Sequence, residues 1–211
     1  MVHTEFPYSL YLVISEADCR GRDFLNVAQQ AIRGGVDIIQ LREKNLTTAA
    51  YLEKAKRIKE ITDRYSVPLI INDNLAVAMQ VESAGIHVGN SDMAPIQIAM
   101  EWTQPRKVIG YSIEYLDQLS NAQTAVANHL GVSPVFSTAT KTNTVTEWGL
   151  EGLSRIRSLT SKPLVAIGNM KLDNVKSVVA AGANSIAVVS AICDAENPEK
   201  VAYELKNEII R

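Results

Sequence analysis

The sequence has few cysteines, no long apolar run and no excess of charge of either sign. Only two of its 211 residues are cysteines, Cys19 and Cys193, which argues against a disulfide framework and indicates free thiols in a reducing compartment. Lysine and arginine number 21 against 23 acidic residues, so the formal net charge of −2 does not point to a nucleic-acid partner. The longest apolar runs are well short of a membrane span. A secreted disulfide scaffold, a basic nucleic-acid-binding domain and a membrane protein are all disfavoured.

The N-terminal stretch MVHTEFPYSLYLVIS lacks a basic region followed by an apolar run and a small-residue cleavage site. We therefore expect no export signal and a cytoplasmic protein. The hydrophobic content of 46% is ordinary for a globular protein, and no low-complexity segment or linker divides the chain. Residues 1–211 are expected to form one domain with small-molecule partners, and the sequence leaves a homo-oligomer open.

Short β-branched runs alternate with longer segments of helical periodicity from one end of the chain to the other. The predicted strands cover residues 9–15, 37–41, 68–72, 85–89, 107–112, 129–133, 163–168 and 185–190. Helical spacing is clearest at 47–65, and weaker patterns predict helices at 23–33, 74–82, 96–102, 115–126, 150–159, 174–181 and 198–211. Strands that are apolar on both faces need helices around them, so an α/β fold, a closed (β/α)8 TIM barrel, is predicted. An open doubly wound sheet is the alternative.

Polar residues follow most of the predicted strands, at the end where a barrel of this kind carries its chemistry. They are Gln40-Leu41-Arg42-Glu43-Lys44, Asn72-Asp73, Asp92, Ser112, Thr138-Ala139-Thr140-Lys141, Gly168-Asn169 and Ser190. Taken alone, each has a plainer explanation. Asp73 and Asp92 can cap the helices that follow them, and the stretch from Thr138 to Lys141 can be a solvated loop. Because all of these residues would meet at one mouth, a common binding site is favoured.

The residue types at this mouth are suited to phosphate and magnesium. Arg42, Lys44 and Lys141 can bind phosphate oxygens. Asp73 and Asp92 provide hard oxygen ligands for a Mg²⁺ ion shared with substrate phosphates. Backbone N–H groups after the seventh and eighth strands form the phosphate site common to this fold. Cations together with a metal indicate a diphosphate, and the second phosphate site indicates a second, singly phosphorylated molecule.

Seven motifs resemble, in order and spacing, those of the thiamine-phosphate synthase family. They are QLREK (40–44), IIND (70–73), GIHVGNSD (85–92), IGYS (109–112), PVFSTATKT (134–142), AIGN (166–169) and VVSAI (188–192). The resemblance implies a transferase that joins 4-amino-2-methyl-5-(diphosphooxymethyl)pyrimidine to 4-methyl-5-(2-phosphooxyethyl)thiazole or its carboxylated form. Diphosphate would leave first, with one Mg²⁺ ion per subunit, and the thiazole nitrogen would attack the pyrimidine-methyl cation.

The resemblance also implies roles for individual residues. Residues along the pyrimidine diphosphate would be Gln40, Leu41, Arg42, Glu43, Lys44, Asn72 and Lys141. Ser112 would lie beside the pyrimidine amino group, and Asp73 and Asp92 would be the magnesium ligands. Residues that hold the thiazole phosphate would be Thr138, Ala139, Thr140, Gly168, Asn169, Val189 and Ser190. Arg42, Lys44, Lys141 and Ser112 are the residues expected to act in catalysis.

The chain departs from the family pattern at a few positions. Asn169 replaces the second glycine after the seventh strand, and Ser133 replaces the glycine before PVF. Asn74 and Ala76 stand where the family usually has arginine and aspartate. These changes put the thiazole phosphate contact of Asn169 and the support around Asp73 in question.

Two rival functions remain open on the same fold. A thiazole tautomerase would need only the thiazole phosphate and would rely on a histidine at the mouth, whereas His87 is interpreted as a packed barrel histidine because no acidic partner is evident. A non-catalytic sensor of phosphorylated ligands is the other rival. The joint presence of Arg42, Lys44, Asp73 and Asp92 with a lysine in the sixth loop favours the synthase.

Overall fold

The computed structural model describes residues 6–105, 107–138 and 146–211, and its strands form a closed parallel barrel. The strands are β1 (Leu10–Ile14), β2 (Ile38–Leu41), β3 (Leu69–Asn72), β4 (Gly85–Val88), β5 (Val108–Ile113), β6 (His129–Val132), β7 (Leu164–Ile167) and β8 (Ser185–Val188). Each strand pairs with its neighbour in chain order, and β8 pairs with β1. The predicted (β/α)8 barrel is confirmed, and the open sheet is wrong.

Helices connect the strands on the outside of the barrel. They are α1 (Phe24–Arg33), α2 (Thr48–Arg64), α3 (Leu75–Gln80), α4 (Pro95–Glu101), α5 (Ala122–Val126), α6 (Gly149–Leu159), α7 (Val175–Ala180), α8 (Ser190–Cys193) and α9 (Pro198–Ile210). The helix predicted over 115–126 is instead a 3-10 helix, Leu116–Ser120, followed by α5. The break occurs at Asn121, whose side chain accepts a hydrogen bond from Thr124 N–H at 2.8 Å and so caps a new helix. The single turns at Ala17–Cys19 and at α8 had no periodic signal.

Two hydrophobic cores follow from the alternation of side chains along the strands. Outward residues such as Leu10, Leu12 and Ile14 are fully buried under the helices and belong to the larger core. Inward residues form a smaller core inside the barrel, made of Tyr11, Val13, Ile38, Ile70, Val165 and Ala187. Phe6 packs against this inner core. The interior is therefore filled, and ligand space is left only where the inward residues become polar near the strand ends.

Cys19 and Cys193 are both buried and free, as predicted from their number. They lie on neighbouring elements, the 3-10 helix Ala17–Cys19 and helix α8. Arg22 joins these elements by donating hydrogen bonds to the carbonyl oxygens of Cys19, Cys193 and Ala195. Within the part of the chain that the structure describes, none of the helices combines the length and the apolarity needed to cross a membrane.

Candidate active site

A first cavity of about 170 Å³ opens at the C-terminal ends of the strands. It brings together predicted site residues that are spread over more than 70 positions of the sequence, from β2 to β5: Gln40, Arg42, Lys44, Asn72, Asp73, Asp92 and Ser112. The strand ends that carry them are neighbours in the barrel. The polar residues predicted to converge on one mouth therefore do so on this side of the barrel.

A second cavity of about 70 Å³ adjoins the first. Its walls include further predicted residues from the sixth, seventh and eighth strand ends: Thr138, Gly168, Asn169, Val189 and Ser190. Both cavities share Arg42 and Ser133 as wall residues. The arrangement can hold two ligands side by side, with Arg42 between them.

Several predicted residues are not brought to the cavities by their side chains. Leu41 is fully buried in the outer core. The Glu43 carboxylate points away from the mouth and accepts hydrogen bonds from Glu16 N–H at 2.9 Å and from Lys54 Nζ at 3.1 Å. These two residues can contribute through their backbone. Ala139, Thr140 and Lys141 lie outside the described residues.

Asp73 and Asp92 form the acidic side of the first cavity. Asp73 adopts a left-handed backbone with a φ of 62°, and its N–H donates to the carbonyl oxygen of His87 at 2.9 Å. The Asp92 carboxylate accepts the Gly89 N–H at 2.8 Å. Neither aspartate caps a helix, because Asn74 caps α3 and Ala94 is the N-cap residue of α4. The capping alternative is therefore wrong, and both carboxylates line the cavity.

Electrostatics at this pair favour a bound cation. Burial raises the pKa of the Asp73 carboxyl above its usual value; the hydrogen bond from Lys44 lowers it, and the neighbouring Asp92 carboxylate raises it again. Among the described residues, no group of three or more histidine, cysteine or acidic side chains could hold a metal. Two close carboxylates with room for water and phosphate oxygens match the ligand set of Mg²⁺, which seldom uses an all-protein cage. The residues present fit this ion.

The floor of the first cavity is made of polar side chains from the barrel strands. Gln40 Nε2 donates to the Tyr11 hydroxyl at 2.8 Å, and His87 Nε2 lies 2.9 Å from Ser112 Oγ. Burial raises the pKa of the Tyr11 hydroxyl, which therefore stays protonated at neutral pH. Together with Asn72, these groups provide donors and acceptors for a flat heteroaromatic ring.

Glycines on β5 and β6 make room for two imidazole rings below this floor. His87 stacks on His129 with ring centroids 5.6 Å apart, and a Cβ at Gly110 would overlap both rings. His129 is fully buried, and neither of its ring nitrogens has a hydrogen-bond partner among the described residues. Burial lowers the pKa of His129 far below its usual value, and the nearby His87 lowers it further, so the ring is neutral.

Several residues that line the first cavity had no binding role predicted from the sequence: Tyr11, His87, Asn90, Ser91 and Glu114. Asn90 and Ser91 were expected at the mouth as polar residues after the fourth strand, without an assigned contact. Tyr11 lies inside β1, which carries no motif, and His87 lies inside β4, within the motif GIHVGNSD. Strand alternation was the signal that could have found them, because an inward position one pleat below a site residue faces the same cavity.

The hydroxyl of Tyr51 ties together the ends of β2 and β3. It comes from α2, outside the barrel, and donates to the carbonyl oxygen of Leu41 at 2.6 Å. It also lies 3.2 Å from both the backbone nitrogen and the backbone oxygen of Asn72. Leu41 and Asn72 each precede a charged cavity residue, so Tyr51 helps to set the separation of Arg42 from Asp73.

Backbone conformation shapes the second cavity. Gly168 has a φ of 119°, and a Cβ there would lie 2.9 Å from both Pro134 Cα and Val135 N, so only glycine fits. Asn169 is also left-handed, with a φ of 52°, which asparagine tolerates better than most residues. Its carbonyl oxygen accepts a hydrogen bond from Asn174 Nδ2 at 2.9 Å, which stabilises this turn.

Comparisons with known proteins agree on one family. A family model described as thiamine monophosphate synthase matches residues 10–192. The thiamine-phosphate synthase of Albidiferax ferrireducens is 42% identical over 200 residues, which cover 95% of this chain and 91% of that protein. The thiamine-phosphate synthase of Vibrio parahaemolyticus is also 42% identical, over 94% of this chain and 96% of its own length.

Solved structures show the same relationship. A thiamine phosphate pyrophosphorylase from Pyrococcus furiosus superposes with a TM-score of 0.84 at 32% identity, covering 97% of this chain and 96% of that one. A 3-hexulose-6-phosphate synthase structure superposes with a TM-score of 0.67 at only 16% identity, and that likeness concerns the fold alone.

Proposed function

This chain belongs to the thiamine monophosphate synthase family and is a transferase, and from that premise we propose the reaction that its two cavities carry out. The pyrimidine diphosphate would bind in the first cavity and the thiazole phosphate in the second. The single observation that carries this assignment is the division of the mouth: cations, paired carboxylates and a polar floor on one side, and strand-end backbone with Thr138 and Ser190 on the other.

In the first cavity, the ring of the pyrimidine would lie on the polar floor and its diphosphate would extend towards the rim. Ser112, held by His87 at 2.9 Å, would meet the amino group of the ring, with Gln40 and Asn72 nearby. Arg42 and Lys44 would bind the diphosphate oxygens. Lys44 now pairs with Asp73 and can exchange that carboxylate for a phosphate oxygen. Lys141 is assigned to the diphosphate by resemblance only.

Asp73 and Asp92 would hold Mg²⁺, which when bound neutralises charge on the departing diphosphate. The chain supplies the remaining neutralisation through its cations, and the polar floor orients the ring that carries the reacting carbon. The aminopyrimidine stabilises a positive charge on its methylene carbon, so diphosphate can leave before the new bond forms. A protein nucleophile or strong base is therefore not required.

In the second cavity, the thiazole phosphate would be held so that its nitrogen faces the pyrimidine methylene carbon. Gly168 and Asn169 would present backbone N–H groups, and Thr138 and Ser190 would add hydroxyl donors. Arg42 borders both cavities and would bring the two substrates together. The main contribution of the chain to the second step is this orientation.

An assay with both substrates tests the proposal. Purified protein with pyrimidine diphosphate, thiazole phosphate and Mg²⁺ should release diphosphate, and both the carboxylated and the decarboxylated thiazole should be supplied. Absence of diphosphate would refute the synthase. A metal-independent shift of the thiazole double bond, followed by NMR, would instead support the tautomerase.

A variant at Lys44 tests the proposed diphosphate contact in the same assay. Lys44→Met removes the ammonium group but keeps the length of the side chain, and the KM for pyrimidine diphosphate should rise by about tenfold or more. Lys56→Met, on the exposed outer face of α2, is the matched control, because among the described residues Lys56 pairs only with Glu53 in the preceding turn. Equal effects of the two variants would contradict a role for Lys44 at the diphosphate.

A further inference from the structure

A hydrogen-bonded cluster of three side chains lies on the acidic side of the first cavity. Asn90, in the loop between β4 and α4, lines this cavity. Its Oδ1 accepts hydrogen bonds from the Tyr111 hydroxyl and from Gln118 Nε2. Gln118 Nε2 also lies 2.9 Å from the Tyr111 hydroxyl oxygen. The cluster joins the β4–α4 loop to β5 and to the 3-10 helix Leu116–Ser120.

Backbone groups determine which way the Gln118 amide faces. Gln118 Oε1 accepts the N–H groups of Glu114 at 2.6 Å and of Tyr115 at 2.9 Å. Because a backbone N–H can only donate, the oxygen of this amide must face the backbone and its NH₂ group must face Asn90.

The orientation of Gln118 in turn determines that of Asn90. An NH₂ group can only donate, so the acceptor atom of Asn90, Oδ1, faces Gln118. The Nδ2 group is at the opposite corner of the same planar amide and is directed away from Gln118. Asn90 is exposed at the cavity wall, so this donor is accessible to a ligand.

We propose that Asn90 is a further substrate-binding residue, which donates from Nδ2 to an oxygen of the diphosphate, and that Gln118 is the positioning residue that keeps this donor facing the cavity. The inference rests on the proposed function. Asp92 is two residues away from Asn90 in the sequence, and Asp73 lies close to Asp92 in the wall of the first cavity. An amide oxygen here would add an acceptor beside two carboxylates and repel an anionic ligand. An NH₂ group instead adds a neutral donor.

Gln118→Glu tests the proposal because it replaces the donor group by an acceptor with little change of shape, and it adds one negative charge. One carboxylate oxygen would keep the two backbone bonds, and the other, now an acceptor, would attract Asn90 Nδ2 and reverse the Asn90 amide. We expect the KM for pyrimidine diphosphate to rise about tenfold or more, equivalent to about 1.4 kcal/mol. The KM for thiazole phosphate should change by less than about twofold, because the second cavity is not touched.

Two further variants control for added charge away from the cavity and for loss of the Gln118 amide without any added charge. Gln97→Glu adds the same charge on the exposed face of α4, where Gln97 bonds only to Glu101 among the described contacts, and should leave both KM values unchanged. Gln118→Ala leaves the Asn90 amide free to turn, so it should raise the KM for pyrimidine diphosphate by only about threefold. Similar effects of Gln118→Glu and Gln97→Glu, or an equal rise of both KM values, would overturn the proposal.

Calorimetric titration distinguishes failure of this inference from failure of the proposed function. Pyrimidine diphosphate is titrated into the wild-type protein and into Gln118→Glu, both with Mg²⁺. A wild-type protein that binds this ligand but forms no product when thiazole phosphate is also supplied would refute the proposed function, and the Kd ratio of the two proteins would still test the role of Asn90. A ratio near one would refute the role of Asn90, whatever the activity.

Discussion

Replacing Gly110 by alanine should separate the packing of the barrel interior from its chemistry. A Cβ at this position would lie 2.6 Å from His129 Cε1 and closer still to His129 Nε2 and His87 Nδ1. Both rings would have to move. The His129 ring is confined by two aromatic rings: its centroid is 4.6 Å from that of Phe6 and 6.3 Å from that of Tyr11.

The magnitude follows from this confinement. Inserting a methylene into a packed core costs about 1–3 kcal/mol, and displacement of two confined rings places Gly110→Ala at the upper end, about 3 kcal/mol. Gly131 on the adjacent strand is the matched control. Its added Cβ would lie 3.0 Å from His87 Cε1 and 3.4 Å from Ser112 Oγ, which a small shift can relieve. Gly131→Ala should therefore cost less than about 1 kcal/mol.

Urea denaturation of the two variants measures this difference. Both free energies of unfolding are extrapolated to zero urea with a common m value. Displacement of His87 also loosens its bond to Ser112, so Gly110→Ala should raise the KM for pyrimidine diphosphate above the wild-type value. Equal stability of the two variants would refute the argument that the paired imidazoles need a glycine beside them.

Three other predictions concern the metal, the strand ends and pH. Asp92→Asn should lower kcat/KM at low Mg²⁺ by about 100-fold, with partial recovery as Mg²⁺ is raised, as measured in magnesium titrations of diphosphate release. Tyr51→Phe should lower the free energy of unfolding by about 1–3 kcal/mol, because the buried groups at Leu41 and Asn72 lose a partner. His129 has a depressed pKa in the folded state, so the unfolded chain binds more protons below about pH 6.5 and stability falls as pH falls. His129→Met should make the free energy of unfolding less dependent on pH, by up to about 1.4 kcal/mol per pH unit, in urea titrations between pH 7 and 5.

Each of these predictions has its own control. Asp63→Asn, on the exposed end of α2, should leave the magnesium dependence unchanged. Tyr65→Phe removes a hydroxyl that bonds to Gln29 on the outer surface and should have a smaller effect on stability than Tyr51→Phe. If the free energy of unfolding of His129→Met fell with pH as steeply as that of the wild type, His129 would not be neutral in the folded protein. An unaltered magnesium requirement in Asp92→Asn would contradict the metal site.

The barrel could be predicted because its evidence is local. Each strand is a short apolar run bounded by turn residues, and the turns that leave the helices use left-handed glycines such as Gly35 and Gly182. The helix over 115–126 was the exception, because periodicity does not reveal that Gln118 binds backbone N–H groups or that Asn121 begins a new helix. Side-chain bonds to the backbone override periodicity there.

The candidate site was predictable where it coincides with strand ends and was missed where it depends on contacts between strands. Arg42, Asp73 and Asp92 follow strands and could be placed at one mouth from topology alone. The clamp by Tyr51 and the hydrogen bond between Gln118 and Asn90 join residues that are up to 28 positions apart, and neither Tyr51 nor Gln118 belongs to a motif. Glu43 shows the opposite error, since its position in a motif did not reveal that its carboxylate faces Lys54.

The central claim is that two adjoining cavities join two phosphorylated substrates, and the ratio of products tests it most directly. Chromatography of reactions stopped over time should find thiamine phosphate and diphosphate in equal amounts. Neither product should appear when either substrate is omitted. Diphosphate released without thiamine phosphate, or the absence of both products with Mg²⁺ and both substrates present, would contradict the account.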